Sequence, residues 1–214
     1  MILKNFVVFE GIDGSGTTTQ IQKLESRFAA EGKSGLVRFT REPTANEIGR
    51  LLRQFLSGKI SAHPDTLAFL FAADRNEHLF GRGGIAEETG NGRAVFSDRY
   101  LFSSLAYQGE SGSPDLPQKL NGDFPLPEYV FFFDLDPETA MQRILARSTL
   151  EHTEREIFEE TGFQKKVSGK YKSLFASFRQ TEPDMHILTI DAALPPEEIA
   201  GKIWKTAGIL PKFN

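Results

Sequence analysis

The sequence predicts an α/β fold, a five-stranded parallel sheet covered by helices on both faces, formed as one domain over 1–214. Three observations carry this. Five short runs rich in Val, Ile and Phe (Phe6–Phe9, Leu36–Thr40, Ala94–Ser97, Tyr129–Phe133, Met185–Ile190) are apolar on both sides, as doubly covered strands are. Amphipathic stretches of helical period separate them, the alternation that builds parallel crossovers. The first run also stops at Glu10-Gly11-Ile12-Asp13-Gly14-Ser15-Gly16-Thr17-Thr18-Thr19 and reopens with Ile21, Leu24 and Phe28 at helical spacing. Strand, glycine loop, helix is the order a phosphate-binding loop requires.

Taken in order, the helices are expected at Thr17–Ala30, Ala45–Leu56, Asp65–Leu79, Leu101–Tyr107, Pro137–Arg147, within a charged region from Glu154 to Phe178, and at Pro196–Ala207. Ile48, Leu51, Leu52, Phe55 and Leu56 give the second an i, i+3, i+4, i+7 stripe. Pro137 and Pro196 mark first turns, where a missing N–H costs nothing. The Gly-, Pro- and Ser-bearing stretch from Gly109 to Pro127 reads as a surface excursion.

In the loop, Gly11, Gly14 and Gly16 let backbone N–H groups turn inward, and the helix end adds its dipole, so that an anion can be held. Thr18 stands where the pattern G-x-x-x-x-G-K-[ST] puts a hydroxyl on magnesium. Thr17 breaks the pattern, because a lysine should stand there to reach the β- and γ-phosphates. Lys23 lies too far along the helix to replace it. On this stretch alone, an ordinary glycine-rich βα connection remains the alternative. The dinucleotide pattern G-x-G-x-x-G fails, since Asp13 occupies its middle glycine.

Composition sets bounds. With 214 residues, 39% of them hydrophobic, the chain suits one compact core. A net charge of −4 argues against a nucleic-acid polymer but not against a small phosphorylated ligand. There is no cysteine, which excludes disulfides and thiolate metal sites. The four histidines lack ligand spacing, and no apolar run is long enough for a membrane span. No basic leader precedes the first apolar run, so a soluble cytoplasmic protein is expected.

Charged residues follow the apolar runs: Glu10, Arg41-Glu42, Asp98-Arg99, Asp134 and Asp191. Ligands of open parallel sheets sit beyond the carboxyl ends of the strands, so this edge is suited to anions and a metal.

Five blocks in register then carry a resemblance: Phe9-Glu10-Gly11-Ile12-Asp13-Gly14-Ser15-Gly16, Arg41-Glu42-Pro43, Leu70-Phe71-Ala72-Ala73-Asp74-Arg75, Ser97-Asp98-Arg99-Tyr100 and Ser103-Ser104-Leu105-Ala106-Tyr107-Gln108-Gly109. The series resembles the thymidylate kinases, with a weaker tail in Asp134-Leu135-Asp136-Pro137-Glu138 and Asp191-Ala192. The resemblance implies a three-layer P-loop NTPase fold with a short lid over about 147–166, and transfer of the γ-phosphoryl of ATP to dTMP with Mg2+. It further implies a homodimer, to which Ala45–Leu56 and Asp65–Leu79 could supply the interface.

Residue by residue, it implies that Gly11, Ile12, Asp13, Gly14, Ser15, Gly16, Thr17, Thr18 and Arg143 bind ATP, with Thr18 and Asp13 near the metal. Phe71 would stack on thymine, Arg75 would bond its edge, Ser104 would approach the base, and Gln108 would belong to the dTMP site. Tyr107 would pack on the deoxyribose, and Arg41 and Arg99 would hold the dTMP phosphate. Asp13 is read as an orienting group, with Arg99, Arg147 and Arg155 as catalytic cations. Plainer readings stand beside these: a core Phe beside a surface Arg for Phe71 and Arg75, ion pairs with Glu42 or Asp98 for Arg41 and Arg99, and a dipole-complementing acid for Asp13.

Relatives without a basic residue in the loop carry an arginine in the lid, and here His152 falls at that position. Losing one preorganised charge costs about 10²–10³ in rate, so two departures invite two hypotheses. Either Arg147 or Arg155 takes over the charge in an active dTMP kinase, with Arg143, Lys165 and Lys166 as further candidates, or the chain binds dTMP without transferring phosphate. Another nucleoside monophosphate kinase is the third reading.

Overall fold

The structure is a computed structural model and describes residues 1–108, 112–151, 158 and 160–212. Its order is β1 (Ile2–Gly11), α1 (Thr17–Ala30), a 3-10 turn (Ser34–Leu36), β2 (Val37–Arg41), α2 (Glu47–Leu56), α3 (Pro64–Phe80), α4 (Ile85–Gly90) and β3 (Ala94–Asp98). Then come α5 (Leu101–Tyr107), α6 (Leu116–Asn121), β4 (Leu126–Asp134), α7 (Pro137–Glu151), α8 (Thr161–Thr181), β5 (His186–Asp191) and α9 (Pro196–Ala207).

All five strands run parallel in the order β2-β3-β1-β4-β5. From β1 the chain passes over β3 to reach β2, and from β3 it passes over β1 to reach β4. The crevice between the carboxyl ends of β1 and β3 is therefore the switch point where ligands of such sheets lie. Phe9 pairs with Asp98 across it, so the glycine loop and Arg99 leave the sheet side by side.

Strand alternation divides the core between the two faces. On one face Phe28 of α1 packs against Phe39, Phe96 and Trp204 of α9. On the other, Phe102 of α5 and Phe175 of α8 meet each other, and Phe175 meets Phe132. Phe6, Val7, Val8 and Phe9 are wholly buried, which explains why the central strand reads as an unbroken apolar run.

Local chemistry sets the helix starts. Asn46 caps α2 by accepting from the Gly49 N–H at 3.0 Å, and prolines open α3 and α9. Gly49 also lets α2 lie against its own entry: a Cβ there would sit 1.9 Å from the Thr44 carbonyl oxygen. Gly49→Ala is expected to destabilise the fold by about 1–3 kcal/mol in urea unfolding, as overpacking does.

Two expectations need correction. The stretch expected as a surface excursion contains α6, whose Pro117 and Asn121 are buried. Glu10, expected at the edge beyond the first strand, is a member of β1 and has no exposed surface. Of the expected lid, the first residues continue α7 and the last belong to α8, while His152 and Arg155 lie outside the described residues.

Candidate active site

Two cavities meet at the switch point. The first, about 500 Å³, lies over the glycine loop and is closed on one side by Arg143, Ile144 and Arg147 of α7 and on another by Ala192, Leu194, Pro196 and Ile199. The second, about 400 Å³, runs from β2 to α5 and is lined by residues including Arg41, Glu42, Phe71, Arg75, Ser104, Tyr107 and Gln108. Asp13, Thr18, Arg99 and Arg147 line both.

The loop is built as its glycines foretell. Gly14 and Gly16 have φ of 79° and 94°, the left-handed region that L side chains rarely adopt. At Gly14 a Cβ would also meet the Ala140 carbonyl oxygen at 2.5 Å. The Ser15 N–H closes a turn on the Ile12 carbonyl at 3.1 Å, and Gly16 leads into α1. Thr17, in the lysine position, is buried, and Lys23 is ion-paired with Glu197.

Thr18 Oγ1 donates to Asp98 Oδ2 at 2.6 Å, while Asp98 Oδ1 is buried without a hydrogen-bond partner. A hydroxyl and a carboxylate side by side are a hard-oxygen pair suited to Mg2+, which retains water and shares its coordination with phosphates. Asp13 fits that role less well, because its oxygens already accept from Arg99 Nη2 and, at 2.9 Å, from Gln164 Nε2. Among the described residues no cluster of three or more acidic or histidine side chains could hold a metal by itself.

Arg99 is the pivot between the cavities. Its φ of 71° is a left-handed conformation that a non-glycine residue adopts at a cost, and its own N–H donates to the Phe9 carbonyl at 2.9 Å. Nη1 donates to the Gly11 carbonyl (3.1 Å) and Ser103 Oγ (3.0 Å), and the guanidinium lies 5.4 Å from the Tyr107 ring centre. Its ion-pair partner is thus Asp13, not the neighbouring Asp98. Tyr107 itself is buried against Phe158, Phe163 and Tyr171.

At the far end of the second cavity the plainer reading of Phe71 and Arg75 is inverted: Phe71 is half-buried and Arg75 is 1% exposed. Nε and Nη2 donate to Glu42 Oε2 at 3.0 and 2.7 Å, Nη2 also to Ser104 Oγ at 3.1 Å, and Nη1 to Asn121 Oδ1. That engages four of the five guanidinium N–H groups. Glu42 Oε1 also lies 3.1 Å from His78 Nδ1. Burial alone would raise the Glu42 carboxyl, but Arg75 and His78 more than offset it and hold it below the usual carboxylate range. Glu42 is thus committed to Arg75, and Arg41 remains exposed at the rim.

The model of the family described as thymidylate kinase matches residues 9–203. The chain belongs to the thymidylate kinase family. It is 47% identical over 191 residues, 89% of this chain and 88% of the other, to the protein named "Putative thymidylate kinase" in Treponema pallidum. To those named "Probable thymidylate kinase" in Methanococcus maripaludis and Pyrobaculum aerophilum it is 38% and 36% identical, covering 91% and 92% of this chain and 89% and 93% of theirs. The chain is accordingly a nucleoside monophosphate kinase with the fold of that family.

The structure brings Asp13, Thr18, Arg99, Arg143 and Arg147 around the first cavity and Arg41, Phe71, Arg75, Ser104, Tyr107 and Gln108 around the second. Lys165 pairs with Glu138 on the surface, and neither it nor Lys166 is among the residues lining these two cavities. Sequence reasoning missed Asp98 as the partner of Thr18, Asn121 as an anchor of Arg75, and Gln164 and Tyr171 of α8. Asp98 had a signal, as an acid level with the loop on the adjacent strand end. The other three had none, because nothing local distinguishes them from surface polar residues.

Proposed function

We propose that the chain phosphorylates dTMP to dTDP with ATP and Mg2+, as one domain whose 147–166 stretch serves as lid. The observation that carries this is the shared wall: the two cavities meet at Asp13, Thr18, Arg99 and Arg147, where a donor and an acceptor phosphate would face each other. Phosphoryl transfer needs chiefly positioning and charge neutralisation, and this wall offers both.

In this reading the loop amides hold the ATP phosphates, Arg143 lies towards adenine, and the apolar wall from Ala192 to Ile199 encloses the base. Thr18 and Asp98 would hold Mg2+, which when bound neutralises charge on the donor phosphates. Arg41 and Arg99 grip the dTMP phosphate, and Asp13 orients Arg99. The one N–H of Arg75 left over suits the O4 acceptor of thymine. Gln108 Oε1, buried without a partner, suits its N3–H, whereas the 4-amino group of cytosine would meet Arg75 donor to donor. Phe71 stacks on the ring and Tyr107 lies against the sugar. Arg147 takes over charge that a loop lysine would supply, since it lines both cavities from α7.

Buried Thr17 in the lysine position favours a second reading, a protein that binds dTMP but transfers no phosphate. A coupled ADP-release assay on wild type, Arg147→Ala and Thr17→Lys separates them. The kinase reading expects dTMP-dependent turnover, a loss of about 10²–10³ on Arg147→Ala and no gain on Thr17→Lys. Calorimetric dTMP binding without turnover, with activity gained on Thr17→Lys, would establish the second.

Leu51 of α2 and Phe69 and Phe80 of α3 are exposed, and we assign this face to a homodimer, testable by sedimentation of Phe69→Glu. Among the described residues no helix is long and apolar enough to cross a membrane, which is compatible with the cytoplasmic location we propose.

A further inference from the structure

Glu10 lies wholly buried near the end of β1, on the face covered by α5 and α8, and none of the roles above uses it. Four donors converge on its carboxylate. Oε1 accepts from the backbone N–H groups of Tyr100 (2.8 Å) and Ser103 (3.3 Å), and Oε2 from the hydroxyls of Ser103 (2.7 Å) and Tyr171 (2.8 Å). The same two hydroxyl oxygens face Arg99 Nη1, at 3.0 Å and 3.5 Å, and lie 2.9 Å from each other.

Each hydroxyl has one proton to direct. When both point at an ionised Glu10, both oxygens turn lone pairs to Arg99, which is then held from behind while its Nη2 reaches Asp13. A protonated carboxyl must itself donate. One hydroxyl then accepts from it and turns its own proton away, towards the other hydroxyl or towards the guanidinium, where it repels.

We propose that Glu10 is a positioning residue for phosphoryl transfer, its carboxylate acting through the hydroxyls of Ser103 and Tyr171 to hold Arg99 at the junction of the two cavities. This rests on the reading of Arg99 as a phosphate-binding group.

The charged and titratable groups around it come from several elements. They are Arg99 from the turn after β3, the phenols of Tyr171 on α8 and Tyr107 on α5, and, beyond Arg99, Asp13 of the loop; β4 presents Phe132, which pairs with Glu10 in the sheet. Burial pushes both phenols upward. Burial also pushes the Glu10 carboxyl from about 4.5 up to about 7, against the opposing pull of Arg99, Ser103, Tyr171 and the Tyr100 N–H. A carboxyl raised on folding contributes stability fully below its unfolded value, and this is lost as pH rises through the folded one. Ionised Glu10 therefore costs stability while it aligns Arg99, so activity and stability should move in opposite directions when its charge is removed.

The test measures kcat of ADP release between pH 6 and 9, at saturating ATP, Mg2+ and dTMP, for wild type, Glu10→Gln, Tyr171→Phe and the double variant. Wild-type kcat should fall on acidification through about pH 7. Glu10→Gln should be about tenfold slower or more at pH 8, lack that fall, and melt no lower than wild type. Tyr171→Phe should slow the wild type but cost nothing further in Glu10→Gln, as residues acting in one chain do. Wild-type kcat in Glu10→Gln at pH 8, an unchanged acid limb, or independent losses in the double variant would overturn the proposal. Should Glu10→Gln fail to fold, Tyr171→Phe decides, because its ring keeps its contacts with Phe132 and Phe175. It should then be slower with a shallower acid limb, and an unchanged rate and limb would overturn the proposal. Wild type without dTMP-dependent turnover, or Arg99→Lys at wild-type rate, would overturn the underlying reading of the site. Turnover that depends on Arg99 but not on Glu10 would overturn this proposal alone.

Discussion

Arg99→Ala is expected to lower dTMP-dependent kcat/KM by about 10³-fold or more, the scale at which arginines that neutralise transferring phosphoryl groups act. Arg99, which lines both cavities, is fixed on several sides: by Gly11 and Ser103 at Nη1 and by Asp13 at Nη2. A group held in this way needs no reorganisation as charge develops, which is the condition for a large electrostatic effect. The backbone bears a cost for it, in the left-handed φ of 71°. Arg99→Lys should recover little, because an ammonium is a point charge and cannot span Gly11 and Asp13 as the planar fork does. The measurement is initial rate against dTMP concentration, with binding by calorimetry alongside. Arg99→Ala within tenfold of wild type would remove Arg99 from the transfer step.

The contrast between Arg99 and Arg75 shows what was legible in the sequence. Strand positions follow from residues buried on both faces, and Phe6 to Phe9 could hardly be read otherwise. The glycine loop was legible because positive φ and close backbone approach are demands on residue type at fixed offsets. Arg99 was legible as a strand-end cation but its ion-pair partner was not: the plainer reading offered Glu42 or Asp98, whereas Arg99 reaches Asp13 of the loop and Asp98 accepts from Thr18 of α1. Arg75 could not be placed from its helix. Spacing sets which face it shares with Phe71, but its burial depends on Glu42 from β2 and Asn121 from α6, which are distant in sequence. Helix α6 was itself missed, because a six-residue segment holds too few turns for a period to show. Glu10 was misplaced for a related reason: one acid at the end of an apolar run looks like its solvated end, unless donors from α5 and α8 are known to cover it.

Glu42→Ala is expected to destabilise the protein by about 3–5 kcal/mol, the cost of leaving a buried ion without its partner. Arg75 is 1% exposed, and Glu42 supplies its counter-charge through both Nε and Nη2. Without it, Ser104 and Asn121 offer only neutral oxygens to a guanidinium that cannot shed its proton. The expected relief is for Arg75 to swing into the cavity where the base would lie, so dTMP affinity should fall together with stability. Glu42→Gln keeps the shape and one acceptor and should cost less. The pH dependence has a definite sign. Because the folded state holds the Glu42 carboxyl below its usual value near 4.5, its contribution is complete above that value and is lost as pH falls through the folded one. The gap between wild type and Glu42→Gln in urea unfolding should therefore be full at pH 7 and narrow steadily below pH 4.5. A gap that is constant across this range would mean that the pair contributes through packing and hydrogen-bond shape, with its charge immaterial. A gap that widens on acidification would contradict the depressed carboxyl itself.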